Sequence, residues 1–269
     1  MSKNKKVTTR TFKRFKKSGK KITMLTAYDY PTALILDNSG IDGILVGDSA
    51  GMVIMGKDTT LEITLENMIY HTKCVHNAVK RSLLIADMPF LTYKINKNEA
   101  VKNAGRLIQE GGAAAVKLEG GEEVVPIIEA MLFADIPVMG HIGLTPQSVN
   151  KIGGYFIRGK KKSTASYIKR SAKALEAAGV FAIVLENIPA GLASEITSEI
   201  KIPTIGIGAG PDCDGQILVL HDVLGFYSDF APRFSKKYTD LNKIISKAIN
   251  SYISEVEKGK FPQKKHFIK

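Results

Sequence analysis

The sequence predicts an α/β fold, namely a (β/α)8 barrel of the TIM type with an N-terminal helix and a C-terminal helical extension. The chain has 269 residues, a length at which such barrels occur as one domain. Eight short apolar runs alternate with amphipathic helical stretches. Most of the runs are near-continuous Val, Ile, Leu and Ala, which is typical of parallel strands buried on both faces. The same alternation is compatible with an open doubly wound sheet, which is the alternative fold.

Residues 1–21 form a basic segment ahead of the first strand. This segment carries ten Lys and Arg residues and no acidic residue. Phe12 and Phe15 are three residues apart and therefore fall on one face of a helix. We expect a short structural helix here rather than a targeting peptide.

Eight strand candidates follow in chain order. They span Ile22–Tyr28, Gly43–Gly47, Leu83–Ala86, Ala115–Leu118, Pro137–Gly140, Phe181–Leu185, Thr204–Ile207 and Gln216–Leu220.

Helical patterns fill the intervals between the strands. Thr64 and Asn98 precede two of these patterns as expected N-terminal caps. Gly40, Gly111 and Gly179 follow the last periodic residue of three others, where a left-handed conformation favours glycine. The predicted helices span 31–39, 64–80, 98–110, 123–134, 164–178 and 191–200, with a long amphipathic stretch at 235–258.

Two loops are longer than a barrel requires. Residues 51–63 follow the second strand, and residues 141–163 follow the fifth. Both leave the carboxyl ends of strands, the face on which barrel enzymes carry their chemistry. We therefore expect both loops to act as a lid or wall.

The charge distribution separates the two ends of the chain from its body. The net charge is +12, but residues 234–269 carry nine basic residues against three acidic ones, and residues 22–233 carry 19 basic and 23 acidic residues. Solvated terminal helices account for this distribution, and a basic arm for nucleic acid is the alternative. We expect a single catalytic domain over 1–269, with 1–21 as a basic N-terminal segment, 235–269 as a basic C-terminal helix and tail, and no nucleic-acid partner.

Cysteine and hydropathy patterns bear on the compartment. Cys74 and Cys213 have no metal-ligand spacing and offer no disulfide framework, which favours a reducing compartment. No apolar run approaches the roughly 18 residues of a membrane span. The sequence therefore predicts a cytoplasmic protein with no membrane partner.

Ionisable residues follow nearly every predicted strand. In a (β/α)8 barrel the carboxyl ends of all eight strands meet at one mouth, so these residues are expected to lie together. The positions at the strand ends are Asp29, Asp48-Ser49, Asp87, Lys117 with Glu119, His141, Glu186, the turn 206–210 and His221-Asp222.

Four carboxylates in one pocket require a compensating cation, because like charges that close cannot all remain ionised. Lys117 supplies one positive charge. A divalent metal is the natural source of more, and an all-oxygen set with few protein ligands favours Mg²⁺.

Simpler interpretations stand beside this one. Asp48 and Asp87 could each cap the following helix, as we expect Asp29 to do. Ser49 could be a turn residue, and His141 could be a core histidine. Lys117 could face solvent.

Six segments of the chain resemble the ketopantoate hydroxymethyltransferase (3-methyl-2-oxobutanoate hydroxymethyltransferase) family, in order from about residue 8 to about residue 234. They are Met24–Asp29, Val46–Ser49, Ala86–Phe90, Val116–Gly121, Gly140–Ser148, and Gly206–Gly210 with Asp214–Val219.

The resemblance implies an activity and a set of roles. A one-carbon unit from the co-substrate 5,10-methylenetetrahydrofolate is added to 3-methyl-2-oxobutanoate, giving 2-dehydropantoate on the way to pantothenate. By matching positions, the resemblance implies direct Mg²⁺ ligation by Asp48 and Asp87 with Glu119 completing the metal shell. It likewise implies that Ser49 and Lys117 hold the oxoacid, that Glu186 accepts the proton, and that His141 lies in the active-site motif. A homo-oligomer, typically a decamer, is also implied.

Two other functions compete with this interpretation. A Mg²⁺-dependent lyase or mutase acting on phosphoenolpyruvate-like or isocitrate-like substrates would use a similar barrel, but such enzymes commonly rely on a lid cysteine, and neither 51–63 nor 141–163 contains one. A non-catalytic basic barrel that binds RNA through its ends is the second competitor.

Overall fold

The fold is a closed barrel of eight parallel strands, as the sequence predicts, and not an open sheet. A computed structural model describes residues 5–227 and 232–268. The strands pair in sequence order from β1 to β8, and β8 closes on β1. The strands are β1 (Ile22–Thr26), β2 (Gly43–Val46), β3 (Leu83–Asp87), β4 (Ala115–Glu119), β5 (Val138–Gly143), β6 (Ala182–Glu186), β7 (Thr204–Ile207) and β8 (Gly215–Leu218).

The chain divides into two compact units, Met1–Val219 and Leu220–Lys269. The first unit holds the barrel. Its helices are α1 (Thr9–Ser18), α2 (Tyr30–Ser39), α3 (Ala50–Val53), α4 (Leu65–His76), α5 (Lys97–Gln109), α6 (Val125–Phe133), α7 (Val149–Ile152), α8 (Lys162–Ala178) and α9 (Ala190–Glu199).

The second unit contains α10 (Leu220–Leu224) and α11 (Leu241–Glu257). Asp240 caps α11 by accepting a hydrogen bond from the backbone N–H of Lys243. The observed helix therefore begins at Leu241 and not at residue 235, where the predicted stretch 235–258 begins. His221 and Asp222, which we expected at a strand end, lie in α10.

The N-terminal helix packs beneath the barrel core. Phe12 and Phe15 are buried, and they belong to one hydrophobic cluster with inward-facing residues of the strands, such as Met24. Gly43 is needed at this contact, because a Cβ there would lie 3.0 Å from the Phe12 ring. Lys16 fixes the helix by an ion pair of 2.8 Å with Asp214.

Most of the predicted helix caps are present, with two corrections. Thr64 caps α4, and Gly40 and Gly179 end α2 and α8 in the left-handed conformation. The cap of α5 is Asn96 rather than Asn98, because the Asn96 side chain accepts from the N–H of Glu99 at the usual spacing.

The second correction concerns the turn after α5. Gly112 rather than Gly111 has the positive φ, at 79°. Gly111 is needed for close approach, because a Cβ there would meet the carbonyl oxygen of Leu107 at 2.6 Å.

Both long loops contain short helical turns. Loop 51–63 includes part of α3 and a 3-10 turn at Thr60–Glu62, while the segment after β5 includes a 3-10 turn at Pro146–Ser148 and α7. The two 3-10 turns contact each other. The two loops thus meet on the face where the strands end.

Candidate functional site

The strand register brings the predicted side chains together at the carboxyl ends of β2 to β6. Asp87 of β3 pairs with Lys117 of β4, and Glu119 of β4 pairs with His141 of β5. Gly143 of β5 pairs with Glu186 of β6. Side chains on adjacent parallel strands at paired positions lie side by side.

A continuous series of polar contacts joins these side chains. Lys117 Nζ lies 2.7 Å from Asp87 Oδ1 and 3.2 Å from His141 Nδ1. His141 Nδ1 lies 3.4 Å from Glu119 Oε1, and its Nε2 lies 3.1 Å from Glu186 Oε2. Three carboxylates far apart in sequence, those of Asp87, Glu119 and Glu186, therefore surround one imidazole and one ammonium group.

Asp48 and Ser49 join the same cluster from β2. The backbone N–H of Asp48 donates to Asp87 Oδ2 at 3.1 Å. The hydroxyl groups of Ser49 and Tyr28 lie 2.8 Å apart. Gly47 allows this arrangement, because a Cβ there would lie 2.8 Å from Ser49 Oγ. All seven predicted site residues are thus brought to one place.

The structure decides against several of the simpler interpretations. Asp29 caps α2 as expected, but the N-cap residue of α3, the helix after Asp48, is Ser49, and that of α5, the helix after Asp87, is Asn96. Neither Asp48 nor Asp87 therefore caps the helix that follows it. Lys117 is 4% exposed and does not face solvent.

The structure also decides against the simpler interpretations of Ser49 and His141, because both side chains have polar neighbours. Ser49 is the N-cap residue of α3, but its side chain makes no cap hydrogen bond. Both ring nitrogens of His141 face ionisable groups, so it is not a histidine in an apolar core.

Burial and neighbouring charges shift the pKa values of the acidic side chains in different directions. Burial, followed by repulsion from Asp87 and Glu119, raises the pKa of Asp48 well above its usual range. Burial also raises the pKa of Asp87, although Lys117 opposes the effect. Burial alone would raise the pKa of Glu119, but hydrogen bonding with His141 outweighs it and the pKa is lowered.

The two basic groups remain charged despite burial. Burial lowers the pKa of Lys117, but the carboxylates of Asp87, Glu119 and Asp48 raise it more, so the net shift is upward. Burial and the neighbouring ammonium lower the pKa of His141, whereas hydrogen bonds to Glu119 and Glu186 raise it to about 9. The site therefore holds alternating positive and negative charge in a low-dielectric interior.

Three site residues were not among those predicted from the sequence. Tyr28, two residues after β1, makes a hydrogen bond with Ser49. Tyr93 binds the Glu119 backbone, and Gln147 binds the Asp48 carboxylate. Tyr28 and Gln147 lie inside segments that carry the family resemblance, whereas no motif in the sequence around Tyr93 indicates that its side chain faces the site.

The donor set fits a hard divalent cation in its chemistry. Asp48 is 5% exposed and makes no ion pair with any described residue. The buried carboxylates share one lysine, and each carboxylate oxygen has two lone pairs, so oxygens already in hydrogen bonds can still accept. Across the described part of the chain, however, no three His, Cys, Asp or Glu side chains stand in a ready metal-binding arrangement. Metal ligation by Asp48, Asp87 and Glu119 stays a prediction.

A (β/α)8 barrel with such a cluster at the carboxyl ends of its strands defines an enzyme. The family model described as ketopantoate hydroxymethyltransferase matches residues 6–264. The chain belongs to this family and is a hydroxymethyltransferase.

Relatives and solved structures agree with this assignment. The 3-methyl-2-oxobutanoate hydroxymethyltransferase of Thermoanaerobacter sp. (strain X514) is 58% identical over 261 residues, which cover 97% of this chain and 95% of the relative. The enzyme of the same name from Clostridioides difficile (strain 630) is 55% identical with the same coverage.

The solved structures show the shared fold. Phosphoenolpyruvate phosphomutase from Streptomyces platensis subsp. rosaceus has a TM-score of 0.63 and 15% identity, covering 94% of this chain and 88% of that one. A phosphonopyruvate hydrolase complex with oxalate and Mg²⁺ has a TM-score of 0.61 and 15% identity, covering 100% and 92%. The mutase and lyase class thus shares the barrel, while the sequence family is the hydroxymethyltransferase one. Family membership also decides against a non-catalytic barrel.

In residues 5–227 and 232–268, no helix combines the length and apolar character that crossing a bilayer requires.

Proposed function

We propose that the protein transfers a one-carbon unit from 5,10-methylenetetrahydrofolate to C3 of 3-methyl-2-oxobutanoate, giving 2-dehydropantoate. Identity of 58% to an enzyme named for this oxoacid supports the substrate. The proposed chemistry rests on the position of Glu186, whose carboxylate is 3.1 Å from His141 Nε2 beside a cluster of buried acids. This arrangement suits removal of a proton from carbon next to a ketone.

Each side chain of the cluster has a proposed task. Asp48, Asp87 and Glu119 would hold Mg²⁺, which when bound would supply Lewis-acid stabilisation of the negative charge that develops on the oxoacid. Lys117 and Ser49 would bind the oxygens of the oxoacid, because an ammonium and a hydroxyl group donate hydrogen bonds to them.

Glu186 is the proposed general base. Its Oε2 interacts with His141 Nε2, which leaves Oε1 to accept the C3 proton. The imidazole fixes the carboxylate in place, and the raised pKa of His141, about 9, keeps the imidazole protonated. The Glu186 side chain is 14% exposed, whereas the Glu119 side chain is 1% exposed, so Glu186 is the more accessible of the two carboxylates beside His141.

The carbon–carbon bond then forms between two bound substrates. Loss of the C3 proton leaves an enolate, and C3 attacks the methylene carbon of the folate as one of its two carbon–nitrogen bonds breaks. The proton taken by Glu186 returns to the freed nitrogen. Water then displaces the second nitrogen from this carbon, so that its hydroxyl group enters the product, its proton goes to that nitrogen, and tetrahydrofolate leaves. The loops after β2 and β5 would exclude other water and hold the two reacting carbons close.

Deuterium exchange tests the first step without the folate. The full-length protein is incubated with 3-methyl-2-oxobutanoate and Mg²⁺ in D₂O, and deuteration at C3 is followed by NMR. We expect exchange that stops with chelator and slows by about 10²- to 10⁴-fold in Glu186→Gln, the usual effect of a general base. Unchanged exchange in Glu186→Gln would remove this residue from its proposed role.

A matched control separates this effect from a general loss of a carboxylate. Glu199→Gln makes the same change on α9, where the side chain pairs with Lys173 at the surface. It should exchange at the wild-type rate.

The remaining expectations are part of the same proposal. The partners would be small-molecule substrates and further copies of this chain in a homo-oligomer, which we expect to be a decamer. We propose a cytoplasmic location, with neither nucleic acid nor membrane as a partner.

A further inference from the structure

Gln147 makes four hydrogen bonds at the centre of the site, although no step of the proposed reaction uses it. Its Nε2 donates to Asp48 Oδ2 at 2.8 Å and to the Met88 carbonyl at 2.9 Å. Its backbone N–H donates to Glu119 Oε2 at 3.0 Å. Its Oε1 accepts from the Tyr93 hydroxyl at 2.8 Å.

The network determines which way the amide group points. Nε2 faces two acceptors, a carboxylate and a carbonyl, whereas Oε1 faces a hydroxyl donor. The reverse orientation would place Oε1 against two acceptors, so it is excluded. Gln147 is 4% exposed and Tyr93 is fully buried, so water does not compete for these bonds.

One residue thus contacts two carboxylates that come from different strands. Asp48 follows β2, and Glu119 ends β4. Among the described residues, the other hydrogen bonds of Asp48 are made by its backbone, to Asp87 and Gly51. The hydrogen bond from Gln147 therefore does most to fix the orientation of the Asp48 side chain.

We propose that Gln147 is a positioning residue that orients Asp48 and Glu119 for a divalent cation, with Tyr93 holding its amide. This inference rests on the proposed function, because it assumes that these acids bind Mg²⁺. Hydrogen bonds to the ligands of a metal fix their orientation, and losing one typically weakens metal binding by about 10- to 100-fold.

The position of Gln147 gives this role a second consequence. The residue lies in the 3-10 turn at Pro146–Ser148, within the long segment after β5. The same hydrogen bonds that orient the acids therefore attach this segment to the base of the site. Cation affinity and the placement of the loop depend on one side chain.

Mn²⁺ binding to the full-length protein tests the proposal without any turnover. Free Mn²⁺ is measured by its EPR signal during a titration. We expect Gln147→Met, which keeps most of the volume but has no donor, to raise the Kd for Mn²⁺ by about 10- to 100-fold. Tyr93→Phe should raise it less, because Gln147 keeps its donor to Asp48.

The control lies next to Gln147 in the chain. The Ser148 side chain makes no cap hydrogen bond to α7, and Ser148→Ala should bind Mn²⁺ with the wild-type Kd. Thermal unfolding in EDTA checks that each variant is folded. If Gln147→Met fails to fold, Tyr93→Phe carries the test.

The outcomes separate this inference from the proposed function. Wild-type affinity in both folded variants would overturn the role of Gln147 and leave the metal site intact. A wild-type protein that binds no Mn²⁺ would instead refute the proposed metal site, and the positioning role with it.

Discussion

At the scale of single residues, the site depends on one buried ammonium group among several carboxylates. Lys117 lies 2.7 Å from Asp87 and next to His141. A buried charge that loses its partner is strongly destabilising, because water cannot solvate it. Lys117 should therefore contribute to stability as well as to substrate binding.

Lys117→Met tests this dependence on charge. In EDTA we expect the free energy of unfolding, measured in urea, to fall by about 3–5 kcal/mol. With saturating Mg²⁺ the loss should be smaller, because the cation would offset the uncompensated acids. An equal loss in both conditions would contradict this explanation. Lys173→Met, at an exposed ion pair with Glu199, should have little effect on the free energy of unfolding.

The residues of the site differ in how far the sequence reveals them. Asp48 and Asp87 end apolar runs, so their place at the barrel mouth follows once the strands are known. Tyr93 and Gln147 lie in connections between elements, where the direction of a side chain depends on the path of the loop. Local sequence does not determine that path, and only the three-dimensional structure brings these two side chains to Asp48 and Glu119.

At the scale of elements, one carboxylate joins α2 to the turn before β3. Asp37 accepts hydrogen bonds from the backbone N–H groups of Lys80, Arg81 and Ser82, the shortest of them 2.7 Å. Burial raises the pKa of Asp37, but these three donors lower it more, so the pKa lies below its usual value. The ionised form is thus favoured in the folded state.

This shift predicts a pH-dependent contribution to stability. The contribution is complete above the ordinary Asp pKa of about 4 and is lost as pH falls through the lower folded-state pKa. Asp37→Asn should destabilise the protein by about 1.5–3 kcal/mol at pH 7, the range for hydrogen bonds to a charged group. Urea unfolding should show the two proteins converging at acidic pH, whereas a constant difference would exclude the carboxylate charge as the cause. Asp58→Asn, at an exposed loop position, is the control.

The boundaries of elements were predicted less well than their existence. The order of strands and helices follows from apolar periodicity, which the closed barrel confirms. The cap of α5 was misplaced because two asparagines two residues apart both satisfy the pattern, and backbone geometry selects Asn96. The start of α11 moved to Leu241 because amphipathic spacing begins before the Asp240 cap.

At the scale of the whole barrel unit, α1 joins the core rather than lying on its surface. Phe12 and Phe15 extend the hydrophobic cluster formed by the strand interiors. Arg10, Lys13, Arg14 and Lys17 of the helix are exposed, and Lys16 pairs with Asp214, so the positive charge of α1 is compatible with a structural role. The sequence predicted this helix from the spacing of two phenylalanines alone.

Phe12→Ala should therefore destabilise the barrel and not only the helix. We expect a loss of about 3–5 kcal/mol in the free energy of unfolding, because the deleted ring leaves a cavity in the core. Lys13→Ala, one residue along on the exposed face, should have little effect. A small loss for Phe12→Ala would mean that α1 is not part of the cooperative core.

The placement of α1 also bears on how small molecules reach the candidate site. The Phe12 and Phe15 rings pack against residues at the amino ends of the strands, such as Ala115 and Phe181, so α1 covers the end of the barrel opposite the candidate site. A small molecule that reaches the cluster of acids therefore approaches it from the carboxyl ends of the strands.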